Sequence, residues 1–136
     1  MKGQLFIGED ISADVKSTCD VCIVGSGAGG SVLAAGLVER GLKVVMLEEG
    51  GYFTRANFTL NEGEAYFNLY QDRGTRATAD LAITILQGKS VGGTTTINWT
   101  TCFRTPDRIL KHWENHWGVQ GLSPEVLAPH FEAIEK

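Results

Sequence analysis

The fold of this chain follows from residues 20–30, which read Asp20-Val21-Cys22-Ile23-Val24-Gly25-Ser26-Gly27-Ala28-Gly29-Gly30. The apolar run predicts a buried strand, and the glycine cluster predicts a sharp turn into a helix. Gly25, Gly27 and Gly30 follow the G-x-G-x-x-G spacing. In that spacing the first glycine allows the tight turn, the second lets the backbone approach a pyrophosphate, and the third lets helix and strand pack closely. The pattern therefore predicts a diphosphate site at the positive end of a helix.

The residues after the glycine cluster complete a βαβ unit. The helix carries mostly apolar and small residues and is predicted to end at Gly41. Residues 42–47 predict a second buried strand that ends on Glu48, about 20 residues after the glycines, where a carboxylate accepts hydrogen bonds from a ribose 2′-hydroxyl. Because Glu48 and Glu49 would repel a 2′-phosphate, the pattern favours an adenosine diphosphate without that phosphate over NADP. An ordinary βαβ unit with a capped turn is the alternative.

Length, composition and charge limit the class of protein. The 136 residues, of which 43% are hydrophobic and 21% charged, predict one domain that can bury a core. A net charge of −4 gives no basic surface for nucleic acid or for an anionic membrane. No apolar run approaches the ~20 residues of a membrane span, and no secretory signal is visible. We therefore expect a cytoplasmic, reducing setting, with no nucleic-acid partner and no membrane span.

The cysteine and histidine pairs do not predict a metal or redox site. Cys19 and Cys22 form a C-x-x-C, but both lie at or inside the first predicted strand, and no second pair follows. We interpret them as strand residues. His112 and His116 lie one helical turn apart in the order His-Trp-Glu-Asn-His, without a third ligand, and are interpreted as surface or helix-end histidines. Cys102 is expected to be a small buried residue.

The middle of the chain has a less regular pattern. Residues 50–79 show no clean helical or strand period, which is typical of a long functional loop, a lid or a covering surface, or of aromatic residues that pin a loop to the body. Residues 81–86 are apolar at almost every position and predict a strand. Residues 88–99 form a second glycine-rich element, whose N–H groups and small hydroxyl side chains suit a second part of an extended cofactor. A Thr-rich strand after a turn is the alternative there.

Together the two glycine-rich elements resemble the N-terminal part of the glucose-methanol-choline (GMC) family of FAD-dependent oxidoreductases. The resemblance rests on residues 24–30, on Leu47-Glu48 and on Gly88-Lys89-Ser90-Val91-Gly92-Gly93-Thr94-Thr95-Thr96-Ile97-Asn98. It implies an α/β fold class, namely a Rossmann-like βαβ FAD-binding fold that is incomplete because the C-terminal substrate domain is absent. Residues 1–19 would then be an N-terminal extension, and residues 20–136 the N-terminal portion of a GMC-type FAD-binding domain.

The resemblance also implies which residues bind the cofactor. It places the first glycines on the FAD diphosphate, Glu48 on the adenosine ribose, and the second element along the diphosphate, ribityl chain and isoalloxazine. The complete set of candidates is Gly25, Ser26, Gly27, Ala28, Gly29, Gly30, Glu48, Gly92, Gly93, Thr94 and Asn98. Some members attach FAD covalently through a His just before the Asn, and here that position is Ile97. We therefore expect non-covalent FAD.

The residues after the second glycine-rich element predict helices. Residues 99–106 look more like the long-chain alcohol oxidase and related bacterial dehydrogenase branches of the family. Thr105 is predicted to be a helix N-cap with Pro106 as the first helical residue, and the helix is predicted to end near Gly118. A second helix is predicted to begin at residue 124, capped by residue 123, and Pro129 is predicted to open a further turn.

No catalytic residue is assigned from the sequence. In the family, the base that takes the alcohol proton is a His in a C-terminal region that this chain does not contain. Because the last helical pattern has no stop before Lys136, we expect a domain truncated inside a helix. The isolated chain is then expected to be catalytically incomplete and marginally stable or aggregation-prone, with a C-terminal polypeptide as a possible complementing partner.

Three functions are consistent with the sequence. The first is the FAD-binding portion of an oxidoreductase that acts on CH–OH donors, with a small-molecule alcohol as substrate of the complete enzyme and hydride transfer to FAD. The second is a non-catalytic adenine-dinucleotide-binding module, and the third is a fragment of a nicotinamide-dependent dehydrogenase. The loop at residues 92–94 favours the first over the third, because an extended cofactor such as FAD explains it.

Overall fold

The computed structural model describes residues 3–136, and the chain forms one unit up to Asn98 and another from Trp99 onward. The regular elements of the first unit are β1 (Val21–Val24), α1 (Ala28–Glu39), β2 (Val44–Leu47) and α2 (Glu62–Leu69). Short 3₁₀ helices cover Gly8–Asp10, Arg55–Asn57, Gln71–Gly74 and Gly93–Ile97. The second unit contains α3 (Asp107–Trp117) and α4 (Pro124–Ile134). The predicted division into residues 1–19 and 20–136 stays a prediction, and residues 1 and 2 lie outside the described part.

The predicted βαβ unit is confirmed. Strands β1 and β2 pair in parallel, with Val24 opposite Leu47, and α1 connects them. Gly41, just after α1, has a φ of 84°, the left-handed conformation that glycine adopts at little cost. Because parallel strands end at the same edge of a sheet, the turn at Gly25 and the carboxylate of Glu48 become neighbours.

Helix α2 was not predicted from the sequence. Its eight residues make only about two turns, which is too few for a hydrophobic period to be recognised. The helix begins after Asn61, whose side-chain oxygen accepts a hydrogen bond from the N–H of Glu64 at 3.3 Å. A local cap therefore starts a helix in a segment whose apolar pattern does not reveal one.

The predicted strand at residues 81–86 was wrong. Leu81 has a φ of 60°, which is outside the strand region, and Thr84 makes only an isolated bridge with Ala77. The carboxylate of Asp80 accepts hydrogen bonds from the hydroxyl of Thr78 and from the N–H of Ala82. These bonds hold a turn at the start of the apolar run, so its backbone does not extend.

The two helices of the second unit were predicted, with one boundary shifted. Helix α3 begins at Asp107, with Pro106 rather than Thr105 as its N-cap, and it ends at Gly118, which has a φ of 65°. Helix α4 begins as predicted, because the hydroxyl of Ser123 accepts a hydrogen bond from the N–H of residue 126 at 3.4 Å. The predicted start of α3 is therefore off by one residue, and the predicted start of α4 is correct.

The prediction that Pro129 opens a new turn was wrong, because it lies inside α4. A proline in a helix removes one hydrogen bond, the one to the carbonyl four residues earlier. That carbonyl belongs to Glu125, which lies in the exposed first turn, where water can replace the missing donor. The helix therefore continues past the proline. None of the helices within residues 3–136 combines the length and apolar character needed to cross a membrane.

Candidate cofactor-binding site

The turn after β1 and the first turn of α1 each require one glycine for reasons internal to the protein. Gly25 has a φ of 91°, a left-handed conformation, and its N–H donates to the carbonyl of Leu47 at 2.7 Å. A Cβ atom on Gly30 would collide with the carbonyl oxygen of Gly25. Helix α1 therefore packs against the turn only because residue 30 has no side chain.

Gly27 is different, because neither its conformation nor its packing requires glycine. Its φ of −63° and ψ of −175° are open to any residue, and a Cβ atom built on it meets nothing within 4 Å. Gly27 instead lines an open cleft at the start of α1. The space that a side chain would take is available to a ligand that approaches the backbone closely.

Glu48 is held beside the turn by hydrogen bonds. Its Oε2 accepts from the N–H of Ser26 at 2.9 Å and from the Ser26 hydroxyl at 2.6 Å, and its Oε1 accepts from the N–H of Gly50 at 2.8 Å. Partial burial, the largest single effect, raises the pKa of Glu48, but the bonds from Ser26, Gly50 and Glu49 together bring this pKa below its usual value. Glu48 is therefore an ionised acceptor at neutral pH.

The second glycine-rich element meets the first. The N–H of Gly92 donates to the hydroxyl oxygen of Ser26 at 3.0 Å, and a Cβ atom on Gly93 would lie 2.9 Å from the Cα atom of Gly27. Gly92 and Gly93 have φ values of 93° and 57°, so both adopt the left-handed conformation. The sequence predicts that both elements bind one cofactor, and in the structure the two elements are in contact.

Backbone pairing fixes the position of the second element. The N–H of Val91 donates to the carbonyl of Gly51 at 3.0 Å, and the N–H of Gly88 donates to the Thr94 hydroxyl at 3.1 Å. Residues 93–97 form a 3₁₀ helix, so the alternative of a Thr-rich strand was wrong. The element thus runs as a loop past the end of β2 and back over the turn.

These parts enclose a cleft of about 330 Å³. The turn contributes Gly25 and Gly27, the end of β2 contributes Leu47 and Glu48, and the second element contributes Gly93 and Thr94. The volume lies at the lower end of the range of about 300–1,000 Å³ that is typical of cofactor and ligand pockets. A separate cleft of about 350 Å³ beside α2 contains none of the predicted site residues. The cleft beside Gly27 is the candidate site, because the glycine elements and Glu48 converge there.

The other predicted site residues differ in their burial and in whether they line this cleft. Ser26 is buried beneath it, and Ala28 and Gly29 are exposed in the first turn of α1. Asn98 follows the 3₁₀ helix as its C-cap residue and lies outside the cleft lining. Sequence reasoning missed Gln87, which lines the cleft but belongs to no motif. It also missed Gly50, although a Gly-Gly pair directly after a strand could have indicated the backbone donor to Glu48.

The remaining cysteines and histidines add no second site. Cys22 lies in β1, but Cys19 precedes the strand, so its interpretation as a strand residue was wrong. Cys102 is exposed, so its expected burial was also wrong; it lies in the irregular segment before α3. The rings of His112 and His116 stack at 5.1 Å on α3. Within residues 3–136, no three His, Cys, Asp or Glu side chains come together in a way that could hold a metal ion.

Comparison with known protein families identifies the family of this chain. A family model described as GMC oxidoreductase matches residues 66–136, more than half of the chain. The chain belongs to the GMC oxidoreductase family. A model of an NAD(P)-binding Rossmann-like domain also matches residues 23–90, which contain most of the βαβ unit and the first three residues of the second element. The predicted family and the Rossmann-like α/β fold class are thus confirmed.

Individual relatives match this GMC chain over most of its length. A long-chain-alcohol oxidase of Arabidopsis thaliana is 43% identical over 130 residues, which are 95% of the chain and 18% of that protein. An uncharacterized GMC-type oxidoreductase of Mycobacterium tuberculosis is 37% identical over 132 residues, 93% of the chain and 21% of that protein. An oxygen-dependent choline dehydrogenase of Xanthomonas axonopodis is 29% identical over 126 residues, which are 85% of the chain and 23% of that protein. The chain therefore spans between 18% and 23% of the length of these three relatives.

Proposed function

We propose that this chain binds FAD non-covalently in the cleft between its two glycine-rich elements, as part of an oxidoreductase that acts on alcohols. The observation that carries the proposal is the open space beside Gly27. Within residues 3–136, no atom other than those of Gly27 and its chain neighbours comes within 4 Å of a Cβ built there, and the backbone conformation permits any residue. A diphosphate that must approach the backbone explains the glycine.

The start of α1 supports a diphosphate for electrostatic reasons. Gly27 is the N-cap of this twelve-residue helix and supplies no side-chain oxygen to its first N–H groups. The first turn of α1 contains no acidic residue that would repel an anion. The N–H groups and the helix dipole are therefore available to two phosphates.

The adenosine and flavin parts of FAD have candidate contacts on the other walls. Glu48 lines the cleft as a carboxylate and would accept a hydrogen bond from the ribose 2′-hydroxyl. Residues 92–98 would follow the diphosphate, the ribityl chain and the isoalloxazine, with Ile97 at the position where some relatives carry a covalently linked His. When bound, FAD supplies the hydride acceptor for alcohol oxidation. The alcohol as substrate class comes from the named relatives, and no residue of this chain is given a catalytic role.

A second candidate ligand is NAD, because the NAD(P)-binding Rossmann-like model matches residues 23–90. The contact between Gly93 and Gly27 favours FAD, since it brings a second backbone loop onto the diphosphate side of the cleft. The two candidates therefore differ in whether the second element takes part in binding.

The test is a titration of the purified chain with FAD, FMN, NAD and ADP, followed by calorimetry and, for the flavins, by fluorescence. We expect FAD to bind more tightly than FMN, which lacks the adenosine, and more tightly than NAD. The bound flavin should be released fully when the protein is denatured, because the attachment is non-covalent. Tighter binding of NAD than of FAD would favour the second candidate, and a folded chain that binds neither dinucleotide would contradict both.

A further inference from the structure

We propose that Ser26 is a positioning residue whose hydroxyl joins Glu48 to the second glycine-rich element and so fixes the carboxylate for the ribose of the cofactor. The G-x-G-x-x-G spacing sets no requirement on the residue between the first two glycines, so the motif does not explain a serine there. The inference rests on the proposed function, because the ribose belongs to FAD.

Every polar group of Ser26 is engaged within the protein. The hydroxyl donates to Glu48 Oε2 at 2.6 Å and accepts from the N–H of Gly92 at 3.0 Å. The N–H of Ser26 also donates to Glu48 Oε2, and its carbonyl accepts from the hydroxyl of Ser31. Since only 3% of Ser26 is exposed, its side chain acts through its neighbours rather than as a surface for the ligand.

The hydroxyl connects three parts of the site through one atom. It belongs to the turn after β1, it holds a carboxylate at the end of β2, and it accepts from a loop 66 residues away in the sequence. Replacing the serine by alanine would remove a donor from Glu48 and an acceptor from Gly92. A partly buried polar group that loses its partner costs more than the average hydrogen bond, and bonds to charged groups are the stronger ones.

Other ionisable side chains near Glu48 also affect its pKa. The turn contributes no ionisable side chain, the residues after β2 contribute Glu49, and the second element contributes Lys89, whose Nζ lies 3.8 Å from Glu49 Oε2. The bond from the Ser26 hydroxyl is among those that lower the pKa of Glu48. Its removal should therefore raise this pKa, while a variant that leaves the hydroxyl in place should not change it.

The first test needs no cofactor. The carboxyl carbon of Glu48 is titrated by NMR in the wild-type chain, in Ser26→Ala and in Ser17→Ala, which changes an exposed serine of the N-terminal segment. We expect the titration midpoint of Glu48 to move to higher pH in Ser26→Ala and to stay unchanged in Ser17→Ala. If Ser26→Ala does not fold, Ser26→Cys keeps the shape of the side chain at a slightly larger volume and offers only a weak donor, and it gives the same comparison.

The second test measures FAD affinity in a double-mutant cycle with Glu48→Gln. We expect Ser26→Ala to weaken FAD binding about tenfold, and to have a smaller effect when residue 48 is already glutamine, because Ser26 acts through that side chain. A purely local destabilisation of the turn would give the same factor in both backgrounds.

The outcomes separate this inference from the proposed function. An unchanged Glu48 midpoint in Ser26→Ala overturns the hydrogen-bond link. Unchanged FAD affinity, or an additive cycle, overturns the positioning role and leaves the proposed function intact. A folded wild-type chain that binds no FAD overturns the proposed function and with it the role toward the ribose, and the titration without cofactor then decides whether Ser26 holds Glu48.

Discussion

Gly93 approaches Gly27 so closely that a Cβ atom on Gly93 would lie 2.9 Å from the Cα atom of Gly27. Each glycine belongs to its own motif, and each motif explains only its own local turn. The contact explains why the two motifs occur in one chain, because the second loop can cover the cleft only if its backbone passes directly over the first turn. The candidate site thus depends on a close contact between two backbone loops as well as on the side chains of Ser26 and Glu48.

Replacing Gly93 by alanine should disrupt this junction. The Cβ would be too close to Gly27, and the left-handed φ of 57° is unfavourable for alanine, so we expect FAD affinity to fall at least about tenfold. Gly118→Ala is a matched control, since Gly118 has a φ of 65° but its Cβ would meet nothing within 4 Å. Alanine at residue 118 would introduce a similar backbone strain, but at a position that does not line the cleft. Equal FAD affinities of the two variants, measured by calorimetry, would contradict the junction.

The sequence predicted those parts of the fold that depend on short-range pattern. The βαβ unit follows from an apolar run, a glycine turn and a second apolar run, and each of these signals lies within a few residues. The apolar run at residues 81–86 failed as a strand because the turn held by Asp80 overrides its strand propensity. The link from Ser26 to Gly92 was beyond prediction, because a single hydrogen bond across 66 residues leaves no local signal.

Gly27 and Gly30 should respond to alanine in different ways. Gly27→Ala needs no unusual φ and meets no atom within 4 Å outside its chain neighbours, so the fold should lose no more than the roughly 1 kcal/mol that alanine costs at a helix N-cap. The same change should weaken FAD binding at least about tenfold, because the new methyl group takes space at the diphosphate.

Gly30→Ala should instead damage the fold itself. Its Cβ would collide with the carbonyl of Gly25, so the melting temperature should fall even in the absence of cofactor. Thermal melting with and without FAD checks both variants. A loss of stability in Gly27→Ala as large as that in Gly30→Ala would show that residue 27 is a packing glycine and would remove the main support for the ligand site.

Glu48 should discriminate against a phosphate on the ribose. We expect 5′-ADP to bind more tightly than 2′,5′-ADP, because an ionised carboxylate repels the second phosphate. Glu48→Gln should narrow this difference, whereas Glu49→Gln should change it less, since Glu49 lies near Lys89 and is more exposed than Glu48. Calorimetric titrations of the wild-type chain and both variants with each ligand, at low salt, give the six affinities. A difference that persists unchanged in Glu48→Gln would place the ribose elsewhere.

Helix α1 carries large apolar side chains that are exposed in the described part of the chain. Val32, Leu33 and Val38 are 62%, 54% and 47% exposed, and α1 contains no fully buried residue. A helix that is apolar on all sides is normally enclosed by other elements. In the described chain, the sheet against α1 has only two strands, which is fewer than independent stability usually needs.

We therefore expect the isolated chain to self-associate and to bind a hydrophobic dye, and we expect Val32→Gln combined with Leu33→Gln to reduce both. Glutamine is a good helix former, so the double variant should preserve α1 while it removes apolar surface. Val15→Gln is the control, because Val15 is 67% exposed but lies in the N-terminal segment outside any helix. Sedimentation velocity and dye fluorescence measure the two effects. A wild-type chain that is monomeric, does not bind the dye and unfolds cooperatively would show that the exposed face of α1 does not drive association.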